Sequence, residues 1–142
     1  MRNYGSYYPF NNLDMNREYT DRIMRCLQEV HSELGPGLIA SIYEEAVARE
    51  LAENGFSVLR QVEVPIHYKG EALGTPLTVS LILDGKVILD IQSVPMHSKL
   101  SEKYMFTCLV CTNCELGFIV NFNVDNLRDG TYPVYNFRHP QK

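Results

Sequence analysis

The chain has 142 residues and a mass of 16.3 kDa, enough for one domain and not comfortably for two. Hydrophobic residues at 45% and charged residues at 21% lie near the globular average, which excludes a disordered chain, a collagen-like chain and a disulfide knot. The 13 Lys and Arg against 17 Asp and Glu give a net charge of −4, so nothing in the totals pulls the chain toward phosphate or anionic lipid.

No apolar run approaches the ~18 residues of a membrane span. The stretch from Met1 to Phe10 lacks the apolar core of a signal peptide, and the 4 cysteines are not needed as bridges at this size; both point to the cytoplasm. Residues 1–14 are rich in Tyr and Asn and show no helical or strand period, so they read as an arm. Its aromatics Tyr4, Tyr7, Tyr8 and Phe10 offer large contact area at low entropic cost, either to a partner subunit or to the arm's own domain. Residues 15–142 read as a single domain.

From about Asn16 the pattern turns helical. Ile23, Leu27, Val30 and Leu34 form one stripe, and Gly35-Pro36-Gly37 stops the helix. A second helix follows, with Ile39, Ile42, Tyr43, Ala46, Val47 and Leu51 on its inner side and Asn54-Gly55 at its end, which makes an αα-hairpin. Val58, Arg60, Val62, Val64 and Ile66 then share one parity, as in a half-buried strand. Tyr68-Lys69-Gly70-Glu71 reads as a hairpin turn. The run Leu77–Leu83 ends at Asp84-Gly85, the strongest short hairpin signal in the chain. The stretch 87–94 is apolar on both faces, hence a central strand, closed by Pro95. Residues 98–113 return to helix with Leu100 and Tyr104 and a further apolar set at Met105, Cys108 and Leu109. Residues 116–122 form a short apolar strand, and Tyr132 to Phe137 a last one after Asp129-Gly130. The fold class is α/β, a mixed β-sheet flanked by helices in the order ααβββαβ(β), with no internal repeats.

The segment Gly37-Leu38-Ile39-Ala40-Ser41-Ile42-Tyr43, preceded by Val30-His31 and Leu34-Gly35-Pro36, resembles the GxxExxY proteins, a group within the PD-(D/E)XK nuclease superfamily. The likeness continues at Tyr68-Lys69-Gly70, through the three strands, and at Gly117-Phe118-Ile119-Val120-Asn121-Phe122-Asn123, covering roughly residues 20–128. It implies a restriction-endonuclease-like core. It also implies phosphodiester hydrolysis with Mg²⁺ or Mn²⁺, hard cations held by converging carboxylates, while a lysine helps activate water and steady the charge growing on phosphorus.

The positions onto which the resemblance carries those groups are largely emptied. The acid of the second helix is Ala40, the acid of the second main strand is Ser80, and the acid-x-Lys of the third is Asp90-Ile91-Gln92. The glutamine of the following helix falls on Tyr104. Gln92 cannot act as an ammonium, and Asp90 with the carbonyl of Ile91 is a thin shell for a six-coordinate ion. Glu44, one turn beyond Ala40, is no sign of compensation, since the family shows acids there anyway. Asp84, in its hairpin turn, is expected to lie too far from Asp90 to help. Lys86, Lys99 and Lys103 are candidates for a migrated lysine, each more simply a solvated charge.

Other groups weigh less. Cys108, Cys111 and Cys114 with the distant Cys26 have the composition of an iron–sulfur or zinc site, but the first three spread around one predicted helix. His31 and Tyr43, at motif positions of the resembled family, either line the pocket or tie the helices to the sheet; the second role fits better, because both persist where the acids do not. His67, His97 and His139 read as surface residues. Arg17, Arg22 and Arg25, and Lys99 and Lys103, are interleaved with Glu18, Asp21 and Glu102, as on a solvated helix face.

The expectation is an inactive nuclease-like domain that serves as a binding or assembly module, a homodimer through the arm or an exposed sheet edge, with no cofactor. Nucleic acid is a partner the charge does not support, and a membrane is not one. Two other readings stand beside it: a weak Mg²⁺- or Mn²⁺-dependent nuclease using Asp90 with a migrated lysine, and a cysteine-ligated metalloprotein.

Overall fold

The computed structural model of the chain describes residues 17–138; the expected arm at residues 1–14 and His139 lie outside the described residues. Helices α1 (Arg17–Leu34) and α2 (Ala40–Glu53) form the expected hairpin. Gly35 caps α1 in the left-handed region at φ +70°, its N–H donating to His31 O at 2.8 Å. Strand β1 (Val58–Val64) follows, then a two-stranded ribbon of β2 (His67–Tyr68) and β3 (Glu71–Ala72), β4 (Leu77–Leu83) and β5 (Val87–Gln92). Helix α3 (Lys99–Thr112), β6 (Leu116–Asn121), a 3₁₀ turn (Leu127–Gly130) and β7 (Thr131–Tyr135) complete the order. Lys69 and Gly70 in the ribbon, and Asp84 and Gly85 between β4 and β5, pair two successive positive φ angles, as tight hairpin turns require.

The five main strands lie in the order β1-β4-β5-β6-β7, antiparallel except for β5 and β6, which run parallel across the α3 crossover. Strand β5 is therefore central, as its double-sided apolar run predicts. The ribbon β2–β3 stands apart from this sheet. On one face, α1 and α2 pack Ile23, Leu27, Tyr43, Val47 and Leu51 onto Leu81, Leu83, Leu89, Phe118 and Phe122. On the other, α3 packs Met105, Cys108 and Leu109 onto Val79, Ile82, Ile88 and Ile119. This three-layer arrangement is the restriction-endonuclease-like one.

Three details depart from the sequence reading. Ile39 caps α2 from outside the helix and is 66% exposed, and Leu34 and Ile42 are exposed too; Glu44 and Ala48 are buried in their stead. The inner face of α2 is set by Tyr43, which is fully buried in the α1/α2 core and stacks on Phe122. Leu100 and Tyr104 of α3 are also exposed, so only its second apolar set reaches the core.

The third departure bears on the site. Val58 packs with the α1/α2 core, whereas Val62 and Val64 pack with the α3 core, so β1 changes face between Arg60 and Val62. Gln61, between them, has φ +49°, which breaks the alternation. Strand β4 changes face in step: Leu77 and Val79 meet the α3 side, Leu81 and Leu83 the α1/α2 side. Because both strands invert opposite one another, their pairing holds from Val58↔Leu83 to Val64↔Leu77. The pairing of β4 with β5, by contrast, covers only Leu81–Leu83 against Val87–Leu89. From Ser80 backward, β4 leaves β5, and a gap opens beside the second half of β5.

Candidate functional site

That gap holds Asp90 and Gln92. Period two places both on the same face of β5 as Ile88, toward α3. Ser80 sits across from Asp90, where β4 begins to diverge, and its hydroxyl lies 3.5 Å from Asp90 Oδ1, a weak contact. Gln92 Nε2 donates to Asp90 Oδ2 and to Ser101 Oγ of α3, each at 3.1 Å. The two amide hydrogens thereby bridge strand and helix. Tyr104, one turn along α3, donates its hydroxyl to Thr78 O at 2.7 Å and closes the far wall. The result is a cleft of about 500 Å³ with Asp90 and Gln92 at its floor and Leu100, Ser101, Lys103 and Tyr104 on its wall.

The loop leaving β5 is fixed from two sides. Ser93 donates to Leu38 O at 2.5 Å, just ahead of α2. Asn121 of β6 clasps Val94, accepting from its N–H and donating to its carbonyl, each at 3.0 Å. The floor of the cleft is thus held by backbone and amide bonds that need no ion.

Of the positions the resemblance marks, the structure brings Ser80, Asp90, Gln92 and Tyr104 into or beside this cleft. Ala40, in the first turn of α2, is not among the residues that line it. Glu44, four residues on, is only 8% exposed, and its carboxylate is fully engaged. Arg60 approaches Oε2 at 3.1 Å through Nη2 and 3.3 Å through Nε, and Gln61 donates to Oε1 at 2.8 Å. Asp84 is equally committed elsewhere, accepting from Tyr19 at 2.7 Å and from Ser57 N at 2.8 Å.

Burial pushes the Asp90 carboxyl above its ordinary value. The hydrogen bonds from Gln92 and Ser80 pull the other way, and the charge on Glu44 adds to the rise. No ion pair compensates Asp90 among the described residues. Lys103 lines the cleft wall without pairing to it, Lys99 leans toward Glu102 at 3.8 Å, and Lys86 lies over the Tyr19 ring at 5.1 Å.

These donors do not fit a divalent metal. Both oxygens of Asp90 accept from neutral groups, both oxygens of Glu44 are spoken for by β1, and among the described residues no three His, Cys, Asp or Glu side chains gather as a ligand cluster. The thiols do not gather either. Cys26 lies in the α1/α2 core, while Cys108 and Cys114 lie in the α3 core on the opposite face of the sheet, and Cys111 is exposed. The sheet itself separates Cys26 from the other three cysteines.

The histidines divide. His31 Nε2 lies 2.8 Å from Val124 O, and Tyr43 donates to Gly35 O and accepts from Leu38 N at 3.1 Å while stacking on Phe122 at 4.5 Å. Both contacts tie the αα-hairpin to the segment after β6, away from the cleft lining. His97 is not the surface residue its sequence context implies. Its ring stacks on Tyr132 at 3.5 Å and its Nε2 lies 2.6 Å from Glu102 Oε2. The contact was illegible because β7 supplies Tyr132 from 35 residues on. Also unforeseen were Ser101, which takes the second Gln92 hydrogen bond, and the Arg60–Gln61 grip on Glu44. On α1, Arg22 turns inward over the Phe56 ring at 4.5 Å and donates to Asn54 O.

Compared with known proteins, residues 17–133 match the family described as the PD-(D/E)XK nuclease superfamily. Among the curated proteins and the solved structures, nothing matches. Among the described residues no helix is long and apolar enough to cross a membrane.

Proposed function

Since the chain belongs to the PD-(D/E)XK nuclease superfamily, we propose that it is a catalytically silent member, close to the GxxExxY group, whose cleft serves binding or assembly. One observation carries this reading. Asp90, the last carboxylate in the cleft, is joined to the Gln92 amide and the Ser80 hydroxyl, neutral groups that cannot supply the charge a developing phosphorane needs. Gln92 cannot move a proton near neutral pH. The amide also spans to Ser101, so the geometry left by the missing lysine has been taken up by a hydrogen-bond bridge.

The test is cleavage of supercoiled plasmid and of single-stranded DNA and RNA with Mn²⁺ or Mg²⁺. Wild type is expected to match a protein-free blank, and calorimetric titration with Mn²⁺ to give no specific heat. Cleavage that Asp90→Ala abolishes would sink the reading and favour a weak nuclease in which Lys103, the lysine that lines this cleft, has taken over the charge. An Ala40→Glu, Ser80→Asp, Gln92→Lys triple variant that gains cleavage would support an intact scaffold with an emptied site.

Self-association belongs to the same reading, through the aromatic arm. Both sheet edges are poor templates for strand addition. Edge strand β1 carries the left-handed Gln61, and edge strand β7 carries Pro133. Sedimentation of the full chain against residues 17–142 is expected to show a dimer that falls to a monomer. A monomeric full chain would remove the dimer from the proposal.

A further inference from the structure

The cleft has an anionic floor and an apolar lip. Asp90 has no cationic partner among the described residues, although its environment is partly desolvated. Above it, Leu100 on the first turn of α3 is 72% exposed and Tyr104 is 44% exposed, and both line the cleft. Large apolar side chains left in water around a concave site mark an interaction surface. A phosphodiester backbone would meet a carboxylate and leucine here, which is the wrong chemistry on both counts.

We propose that the emptied cleft receives a single arginine or lysine side chain from a protein partner, its charged head on Asp90 and its methylene stem along Leu100 and Tyr104. This rests on the binding-module reading above. The charge complementarity is specific: the floor offers a carboxylate whose two oxygens each already hold one neutral donor, leaving lone pairs for a forked cation. The wall offers an aromatic face held in place by its own hydroxyl bond to Thr78 O, which suits the flat guanidinium or the stem of a lysine. An Arg whose stem packs on exposed apolar side chains, here Leu100 and Tyr104 beside the polar Ser98, Ser101 and Thr107, is a common energetic hot spot. Lys103 is the competing cation, but it stands on the wall with no ion pair to Asp90 among the described residues. Glu44 adds negative potential from behind without being free to bind, since Arg60 and Gln61 hold it.

The test uses the full chain labelled with ¹⁵N. The probes are n-butylguanidinium, its uncharged isostere n-butylurea, a short peptide carrying one Arg between two Leu, and a single-stranded oligonucleotide. Saturable shifts confined to Ser80, Asp90, Gln92, Leu100 and Tyr104 are expected with the guanidinium and the peptide, weaker by about tenfold with the urea. Asp90→Asn is expected to erase the preference for the charged probe. Leu100→Ser, on the surface, is expected to weaken the peptide more than the small cation. Lys103→Ala is expected to leave binding intact or tighten it.

Three results would overturn the proposal: equal binding of guanidinium and urea, absence of shifts at these residues at any soluble concentration, or an oligonucleotide that displaces the peptide. Absence of binding in a protein that also cuts no DNA or RNA overturns this inference alone. Metal-dependent cleavage overturns the binding-module reading beneath it.

Discussion

Gln61 of β1 and Ser80 of β4 lie between the pairs Arg60↔Leu81 and Val62↔Val79, at the point where both strands turn over and the ladder skips one pair without changing register. The inversion does two things at once. It aims Arg60 and Gln61 at Glu44 on α2, and it parts β4 from β5 beside Asp90. Left-handed backbone at a residue other than Gly costs about 1 kcal/mol or more and persists only where the surroundings enforce it.

Gln61→Val is therefore expected to destabilise the protein. A β-branched residue fits φ +49° poorly, and the substitution also removes the bond to the buried Glu44 carboxylate. A loss of about 2–3 kcal/mol in urea unfolding is expected. An unchanged midpoint would show that the strand can relax into regular alternation.

Tyr43→Phe keeps the stack on Phe122 and removes one hydroxyl. That hydroxyl serves Gly35 O and Leu38 N, on either side of the turn that joins α1 to α2. A cost of about 1–2 kcal/mol is expected from two part-buried backbone groups left without their partner. Peptide binding at the cleft, read by the same NMR shifts, should survive. A loss of binding with unchanged stability would assign Tyr43 to the cleft instead.

Asp90 contributes to pH dependence with a definite sign. Its native pKa lies above the ordinary 3.8, so between that value and the raised one the folded state holds the proton that the unfolded state has lost. Stability from this group is accordingly highest below 3.8 and declines as pH rises through the native pKa. Asp90→Asn is expected to be more stable than wild type at pH 7 and to lose that advantage at low pH. Urea midpoints from pH 3 to pH 8 measure it. A variant less stable at pH 7 would mean that the hydrogen bonds from Gln92 and Ser80 outweigh the desolvation.

Thiol chemistry separates the four cysteines. Burial pushes the Cys108 thiol to about 11 and raises Cys26 and Cys114 as well, so their nucleophilic thiolates are scarce at neutral pH. Cys111 is the exposed one. Native alkylation with iodoacetamide should add one adduct, at Cys111, and denaturation should release the rest. Rapid modification of Cys108 in the native state would indicate that α3 opens locally.

The turns were legible in the sequence because their chemistry is local. Asp84-Gly85 and Lys69-Gly70 need no distant partner to adopt positive φ, and Gly35 ends α1 by the conformation of a single residue. The double apolar face of β5 was likewise written in residue identity. The inversion at Gln61 was not. Val58, Arg60, Val62 and Val64 alternate identically whether the strand runs straight or turns over, and only the strand beside it decides which.

The sequence by itself determined the element order and the hairpin turns, since each depends on local propensity or on the conformation of one or two residues. Tertiary structure alone decided that Glu44 is buried under Arg60, that a sheet lies between Cys26 and its three fellows, and that Gln92 spans from Asp90 to Ser101. Those outcomes depend on pairings between distant segments, whose free energy comes from shared burial and mutual hydrogen bonding that no single stretch of chain contains.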